Sequence, residues 1–241
     1  MYKRKVDKGL ILAAGDGDRL CSLTLTCPKV LLPVYKKTPL IRYPIEAMAS
    51  SGISEIAIVV GYLGDKVIKE LGDGSNFGVK LQYIFNHDYL GGNATSVYKA
   101  RDWVQGGPVV LCMGDHIIES KAVKRLLDRQ AINETLCIDY TPAQHHQLSE
   151  ATKVTVDIAG CITDIGKDLV YWDALDTGIF LLTDTFFRAL CELVHHLGNN
   201  VEMNAVIRFL INQGHRFNTC NVSGCFWVDV DTNEDLDLVK V

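Results

Sequence analysis

Gly9–Leu20 reads GLILAAGDGDRL. An unbroken apolar run stops at a cluster of Gly, Asp and Arg. A run of this length without polar alternation fits a strand buried on both faces, as in a parallel sheet. Gly15 and Gly17 let backbone amides approach a ligand closely and present a concave row of N–H donors. Arg19 adds a permanent cation with a forked donor face. Ten residues on, in PKVLLPV, Lys29 follows Pro28. A Gly-rich loop with Arg and Lys behind a strand suits a polyphosphate; on the glycines alone, an ordinary strand-to-loop turn is an equal alternative. A dinucleotide loop would need Gly at position 20, where Leu20 stands, and an acidic residue about twenty positions further on, which is absent. A P-loop would need Gly-Lys-Ser/Thr, also absent.

The same alternation continues outward. EIAIVV, KLQYIF and PVVLCM read as further strands, and the segments between them as helices: TPLIRYPIEAMASSG opening at Thr38–Pro39, DKVIKELG, ATSVYKARDWV and, after the fourth strand, SKAVKRLLDRQA. This order implies a mostly parallel sheet with helices on both faces, an α/β fold. After TLCIDY the pattern changes. EATKVTVDIAGCITDIGKDLV reads as a hairpin around IAGC, and DTGIFLLT as another strand. Helices follow near 184–196 and 202–213, then the strands RFNTCNV and FWVDVD and a closing helix NEDLDLVKV. With no repeat or linker, residues 1–241 read as a single domain, whole or cut from a longer chain.

Composition narrows the function classes. Of 241 residues, 48% are hydrophobic and 22% charged, the balance of a globular protein with a sizeable core. The net charge of −5 argues against a nucleic-acid partner, which usually needs a basic face. The N-terminal apolar run is too short for a signal segment, and no run approaches a membrane span. The 8 cysteines form no C-x-x-C pair and read as reduced thiols in a cytoplasmic protein, without zinc-ligand spacing.

Six other stretches carry candidate chemistry. VVLCMGDHI ends a buried strand at Gly114–Asp115, where open α/β sheets bind ligands. Asp115 could cap a turn or ligate Mg²⁺, which takes carboxylate and phosphate oxygens together. In FWVDVDT, Asp229 and Asp231 alternate on a strand and point the same way, which is costly unless a cation sits between them. Alternatively one of them, Asp231, caps the closing helix. In LGGNATSV, Gly91, Gly92 and Asn93 form a flexible turn before a helix whose amide and hydroxyl groups could read a base edge, with a plain N-cap by Asn93 as the alternative. EATKV, IGKDL and DTG bring Lys153 and Lys167 into the second half; either could meet a substrate phosphate, and Lys153 reads as a surface lysine. His145–His146 and His195–His196 read as solvated pairs without a role.

In this order the stretches GLILAAGDGDRL, CPKVLLPV, TPLIRYPIEAMASSGISEIAIVVGY, GDH and the late Asp pair resemble the sugar-phosphate nucleotidyltransferase family over nearly the whole chain. GGNATSV, EATKV, IGKDLVYWDALDTGIF and FWVDVDTNEDL are similar to its CTP:inositol-1-phosphate cytidylyltransferases. The family's loop reads Gly-x-Gly-Thr/Ser-Arg; here Asp18 stands in place of the small hydroxyl residue. The resemblance implies a Rossmann-like nucleotidyltransferase fold with a small β-rich acceptor-binding part. It implies a nucleotide site of Leu12, Ala13, Ala14, Gly15, Gly17, Lys29, Gly92, Asn93 and Ser96, with Arg19, Lys29 and Lys167 as the catalytic cations. It implies acceptor contacts from Asp115, Glu150, Lys167, Asp176 and Thr177, and Mg²⁺ on Asp115 with Asp229 or Asp231. The implied reaction is cytidylyl transfer from CTP to inositol 1-phosphate. Another phosphorylated alcohol, such as phosphocholine or a hexose 1-phosphate, is the alternative acceptor, and a catalytically silent nucleotide-binding module the alternative class. A fused or partner membrane synthase and a homo-oligomer are the implied assemblies.

Overall fold

The computed structural model describes residues 6–129, 132–143, 148 and 150–239. His145 and His146 lie outside the described residues. The first strand is β1 (Lys8–Ala13), followed by α1 (Arg42–Ala49), β2 (Glu55–Val60), α2 (Gly64–Leu71) and β3 (Lys80–Phe85). Then come α3 (Asn93–Lys99), α4 (Arg101–Val104), β4 (Val109–Met113), β5 (His116–Ile118), α5 (Ser120–Leu127) and β6 (Thr135–Asp139). The second half runs β7 (Lys153–Val156), β8 (Ile162–Gly166), β9 (Ala174–Leu182), α6 (Asp184–Leu197), α7 (Met203–Asn212), β10 (Asn218–Asn221), β11 (Trp227–Asp229) and α8 (Asn233–Leu238).

The central sheet has the order β10-β6-β9-β4-β1-β2-β3, with the β7–β8 hairpin attached beside β9. Parallel pairing holds β1 to β2 and β4, β2 to β3, and β6 to β10. Only β9 breaks the direction along this path, running antiparallel to both β4 and β6. The apolar runs are unbroken because both faces are covered. On β2, Ile56, Ile58 and Val60 pack with α1, α2 and α5, while Ala57 and Val59 pack with α3, α6 and α7 on the other face. Leu10 and Ile11 of β1 are fully buried on opposite faces. Each such side chain contributes about 1.5–3 kcal/mol.

Three sequence expectations shift. Thr38–Pro39 does not start the first helix, because Pro39 is drawn into a bridge with Pro33 and α1 begins only at Arg42. The third helix is two, meeting at Ala100. β5 was not anticipated. It pairs antiparallel with β11 in a two-stranded sheet of its own, Asp229 opposite His116. A separate apolar cluster, including Leu20, Leu32, Leu40, Ile117, Val228, Val230 and Leu236, ties this small sheet and α8 to the segment after β1.

Candidate active site

The parallel pairing of β1 with β4 sets Leu12 beside Met113, so the Gly-rich loop and Asp115 emerge side by side at the carboxyl edge. Because β9 runs the other way, Asp176 near its start comes to that edge too. A cleft of about 720 Å³ opens there. Leu12, Ala14, Gly15 and Arg19 line it, as do Gly92, Asn93 and Ser96. Glu150, Lys167 and Asp176 line it from the β7–β9 part, and Asp115, His116, Asp229 and Asp231 form its charged floor.

Lys29 organises that floor. Its Nζ donates to Asp115 Oδ2 at 2.7 Å and to Asp231 Oδ1 at 2.5 Å. Arg19 donates to the other oxygen of Asp231, also at 2.5 Å, and lies 4.0 Å from Glu150. Burial opposes the charge on Lys29, but Asp115, Asp229 and Asp231 outweigh it and hold the ammonium above the ordinary lysine value. Burial likewise opposes ionisation of Asp115, yet Lys29 and His116 hold it far below the usual carboxylate range. His116 Nδ1 lies 3.1 Å from Asp115 Oδ1 and 3.5 Å from Asp229 Oδ1. Burial works against the imidazolium, but Asp229 and Asp115 raise it to about 9. Asp229 is the exception. Part of its side chain faces the cleft, but Oδ1 is buried with no hydrogen-bond partner among the described residues. Burial, reinforced by Asp115 and Asp231, pushes its carboxyl up to about 7 against the pull of His116.

Several expected roles change. Lys29 does not line the cleft; its ammonium is spent on Asp115 and Asp231. Gly17 adopts φ +66°, and a Cβ there would meet Lys29 Cβ at 2.8 Å, so Gly17 makes room for Lys29 and does not line the cleft. Ala13 is a core residue. Thr177 is fully buried, its hydroxyl donating to the Cys137 carbonyl, so it has no path to an acceptor. Asp231 does not cap α8. Thr232 does, in a capping box with Asp235, which frees Asp231 for the two cations. Asn93 caps no helix of its own; its Oδ1 accepts from Met203 N at the start of α7. Gly91 and Gly92 are small because Asn199 and Val201 backbone oxygens pack where their side chains would be. Lys153 Nζ donates to the Lys167 carbonyl, as a structural lysine.

Sequence reasoning passed over His116. Its signal was there, a titratable residue directly after the strand-end Asp. The three-residue β5–β11 ladder that makes it matter leaves little trace in the sequence.

Known proteins place the chain in a family. A family model described as nucleotidyl transferase covers residues 8–239. The chain belongs to that family. A bifunctional IPC transferase and DIPP synthase of Aquifex aeolicus is 32% identical over 98% of this chain and 51% of its own length. A glucose-1-phosphate thymidylyltransferase of Streptomyces griseus is 27% identical over 95% of this chain and 64% of its own. The chain thus spans about half to two thirds of the length of these two curated relatives. The solved inositol-1-phosphate CTP transferase from T. maritima superposes with TM-score 0.83 at 24% identity, covering 98% of this chain and 93% of that one; this nucleotidyl transferase shares its fold. No helix among the described residues is long and apolar enough to cross a membrane.

Proposed function

We propose that this nucleotidyl transferase moves a cytidylyl group from CTP to inositol 1-phosphate, releasing pyrophosphate. The observation that carries the reading is that one cleft is lined together by Gly15 and Arg19 of the Gly-rich loop, by Lys167 and Asp176, and by Asp115 and Asp229. The name of the Aquifex relative favours this donor and acceptor; that of the Streptomyces relative favours a thymidylyl donor and glucose 1-phosphate.

The donor set fits a hard divalent cation such as Mg²⁺. Asp229 Oδ1 is buried with no hydrogen-bond partner among the described residues, and Asp115 Oδ1 faces the same corner. Both oxygens of Asp231 already accept from cations, so Asp229 is the better second ligand. When bound, the ion supplies positive charge for the triphosphate and the departing pyrophosphate.

The chain's own residues do the rest. A phosphomonoester with a second pKa near 6 is already dianionic at neutral pH, so no strong base is required. One of its oxygens attacks the α-phosphorus of CTP as the bond to the β-phosphate oxygen breaks. The barrier is the approach of two anions, so positioning and fixed positive charge dominate. The backbone at Gly15 cradles the triphosphate, and Arg19, half-exposed at the cleft, offsets its charge. Lys167 orients the acceptor phosphate, and Asp176 accepts from an acceptor hydroxyl. Lys29 acts from beneath by holding Asp115 and Asp231 in place. A partner that consumes the CDP-alcohol, fused or separate, belongs to the same proposal.

A pyrophosphate-release screen pairing the four nucleoside triphosphates with inositol 1-phosphate, phosphocholine and glucose 1-phosphate tests this. CTP with inositol 1-phosphate is expected to lead. Faster turnover of dTTP or UTP with glucose 1-phosphate replaces donor and acceptor in the reading; no turnover with any pair leaves a silent binding module.

A further inference from the structure

The two carboxylates share their corner with a nitrogen donor. A nitrogen of His116 and one oxygen each of Asp115 and Asp229 all lie within 4.8 Å of one another. His116 Nδ1 is 3.1 Å from Asp115 Oδ1 and 3.5 Å from Asp229 Oδ1. Neighbouring ligands on a six-coordinate ion with bonds of about 2.1 Å are about 3.0 Å apart, and opposite ones about 4.2 Å. Both nitrogen–oxygen distances fall within the span that two ligands of a single ion can have.

The surroundings hold the imidazole in that orientation. The β5–β11 ladder sets His116 directly opposite Asp229. Across the ring lies Gly178, at φ +73°, where a Cβ would stand 2.7 Å from His116 Cδ2 and Nε2. The absent side chain lets the Cδ2–Nε2 edge rest on the β9 backbone, which turns Nδ1 toward the carboxylates. Lys29 takes Asp115 Oδ2, and Lys29 and Arg19 take both oxygens of Asp231, leaving Asp115 Oδ1 and Asp229 Oδ1, the latter with no hydrogen bond among the described residues, beside Nδ1.

We propose that His116 is a third ligand, making this a mixed nitrogen–oxygen site that prefers Mn²⁺ or Co²⁺ to Mg²⁺. Imidazole suits first-row transition ions, whereas Mg²⁺ is held by oxygens. On binding, the ring ligates as the neutral form through Nδ1, keeps its proton on Nε2, and releases the other proton to solvent. The inference rests on the reading of Asp115 and Asp229 as metal ligands, but needs neither CTP nor an acceptor.

The test uses Mn²⁺ alone with the full chain. Spin resonance counts bound Mn²⁺, and spin-echo modulation detects a directly bound nitrogen. One Mn²⁺ with a nitrogen coupling that changes isotope when the histidines carry ¹⁵N is expected. Asp229→Asn should abolish this binding. His116→Gln should remove the coupling and weaken Mn²⁺ by about tenfold or more, while Mg²⁺ affinity changes by less than about threefold. A Mn²⁺ that depends on Asp229 yet shows no histidine nitrogen overturns the proposal, as does no Mn²⁺ binding at millimolar concentration. If His116→Gln does not fold, the ¹⁵N comparison in the unaltered protein decides alone. A histidine signal without nucleotide turnover would count against the proposed reaction and leave the ligand in place; turnover with Mn²⁺ and no such signal would do the reverse.

Discussion

Asp229 stands directly opposite His116 in the antiparallel pairing of β5 with β11. This short ladder joins residues far apart in the chain, and it is what brings a histidine to the corner between two strand-end carboxylates. It is held from below by the cluster around Leu20, Ile117, Val228 and Leu236, outside the two large cores of the sheet. The charged floor therefore depends on a small satellite core as well as on the central sheet.

Lys29 offers the sharpest test of that floor. Its side chain is 9% exposed and bridges Asp115 to Asp231. Removing one partner of a buried ion pair leaves uncompensated charge and costs about 3–5 kcal/mol. Lys29→Met should lose that much in urea unfolding without added metal. Adding Asp231→Asn to Lys29→Met should recover part of the loss, because Asp115 and Asp229 then face one carboxylate fewer once the lysine is gone. No recovery in the double variant would mean that the lysine stabilises the fold through its stem.

Asn93 separates a structural from a base-reading role. Its side-chain oxygen accepts from Met203 N, one of the N–H groups that α7 cannot satisfy internally. Asn93→Ala should cost about 1 kcal/mol in urea unfolding, and Asn93→Asp, which keeps an acceptor, much less. An unchanged midpoint in Asn93→Ala would show that the bond to α7 does not stabilise the fold.

These two residues also show how far the sequence could be read. β1, β2 and β4 were legible because burial on both faces writes itself as an unbroken apolar run. The residues of the cleft were mostly legible because strand ends and Gly-rich turns mark where a sheet offers its carboxyl edge. The purpose of individual residues was not. Gly17, Gly91 and Gly92 are set by close approach of Lys29, Asn199 and Val201, and no local pattern reveals a neighbour so distant in the chain. Thr177 and Ala13 stood in the right motifs but point into the core. Capping of α8 stood as an alternative to metal binding for Asp231 because the neighbouring Thr232–Asp235 box leaves no clear mark in the sequence.

Lys167 should behave differently from the buried floor. It is exposed, lies where the β7–β8 hairpin meets the cleft, and its backbone carbonyl is tied by Lys153. Lys167→Ala should therefore leave stability within about 0.5 kcal/mol while raising KM for the acceptor far more than KM for CTP. Initial rates with each substrate varied in turn provide the check. Equal changes in both KM values would remove Lys167 from the acceptor phosphate.

Asp176 gives a pH dependence whose sign is fixed by burial. Its carboxyl is pushed up to about 6, chiefly by burial, which outweighs the bond from Gly178 N and the pull of His116. Unfolded, the same group titrates near 3.9. Between those values the folded state holds a proton that the unfolded state releases. The resulting stability is fully present below about pH 4 and is lost as pH rises through about 6, by at most on the order of 3 kcal/mol. Asp176→Asn keeps an oxygen to accept from Gly178 but has nothing to titrate. Urea unfolding at pH 4.5 and pH 7 without metal should show the wild-type protein losing more stability over that interval than the variant. Parallel losses in the two proteins would show that the carboxylate is solvated through the cleft and ionises at no cost to the fold.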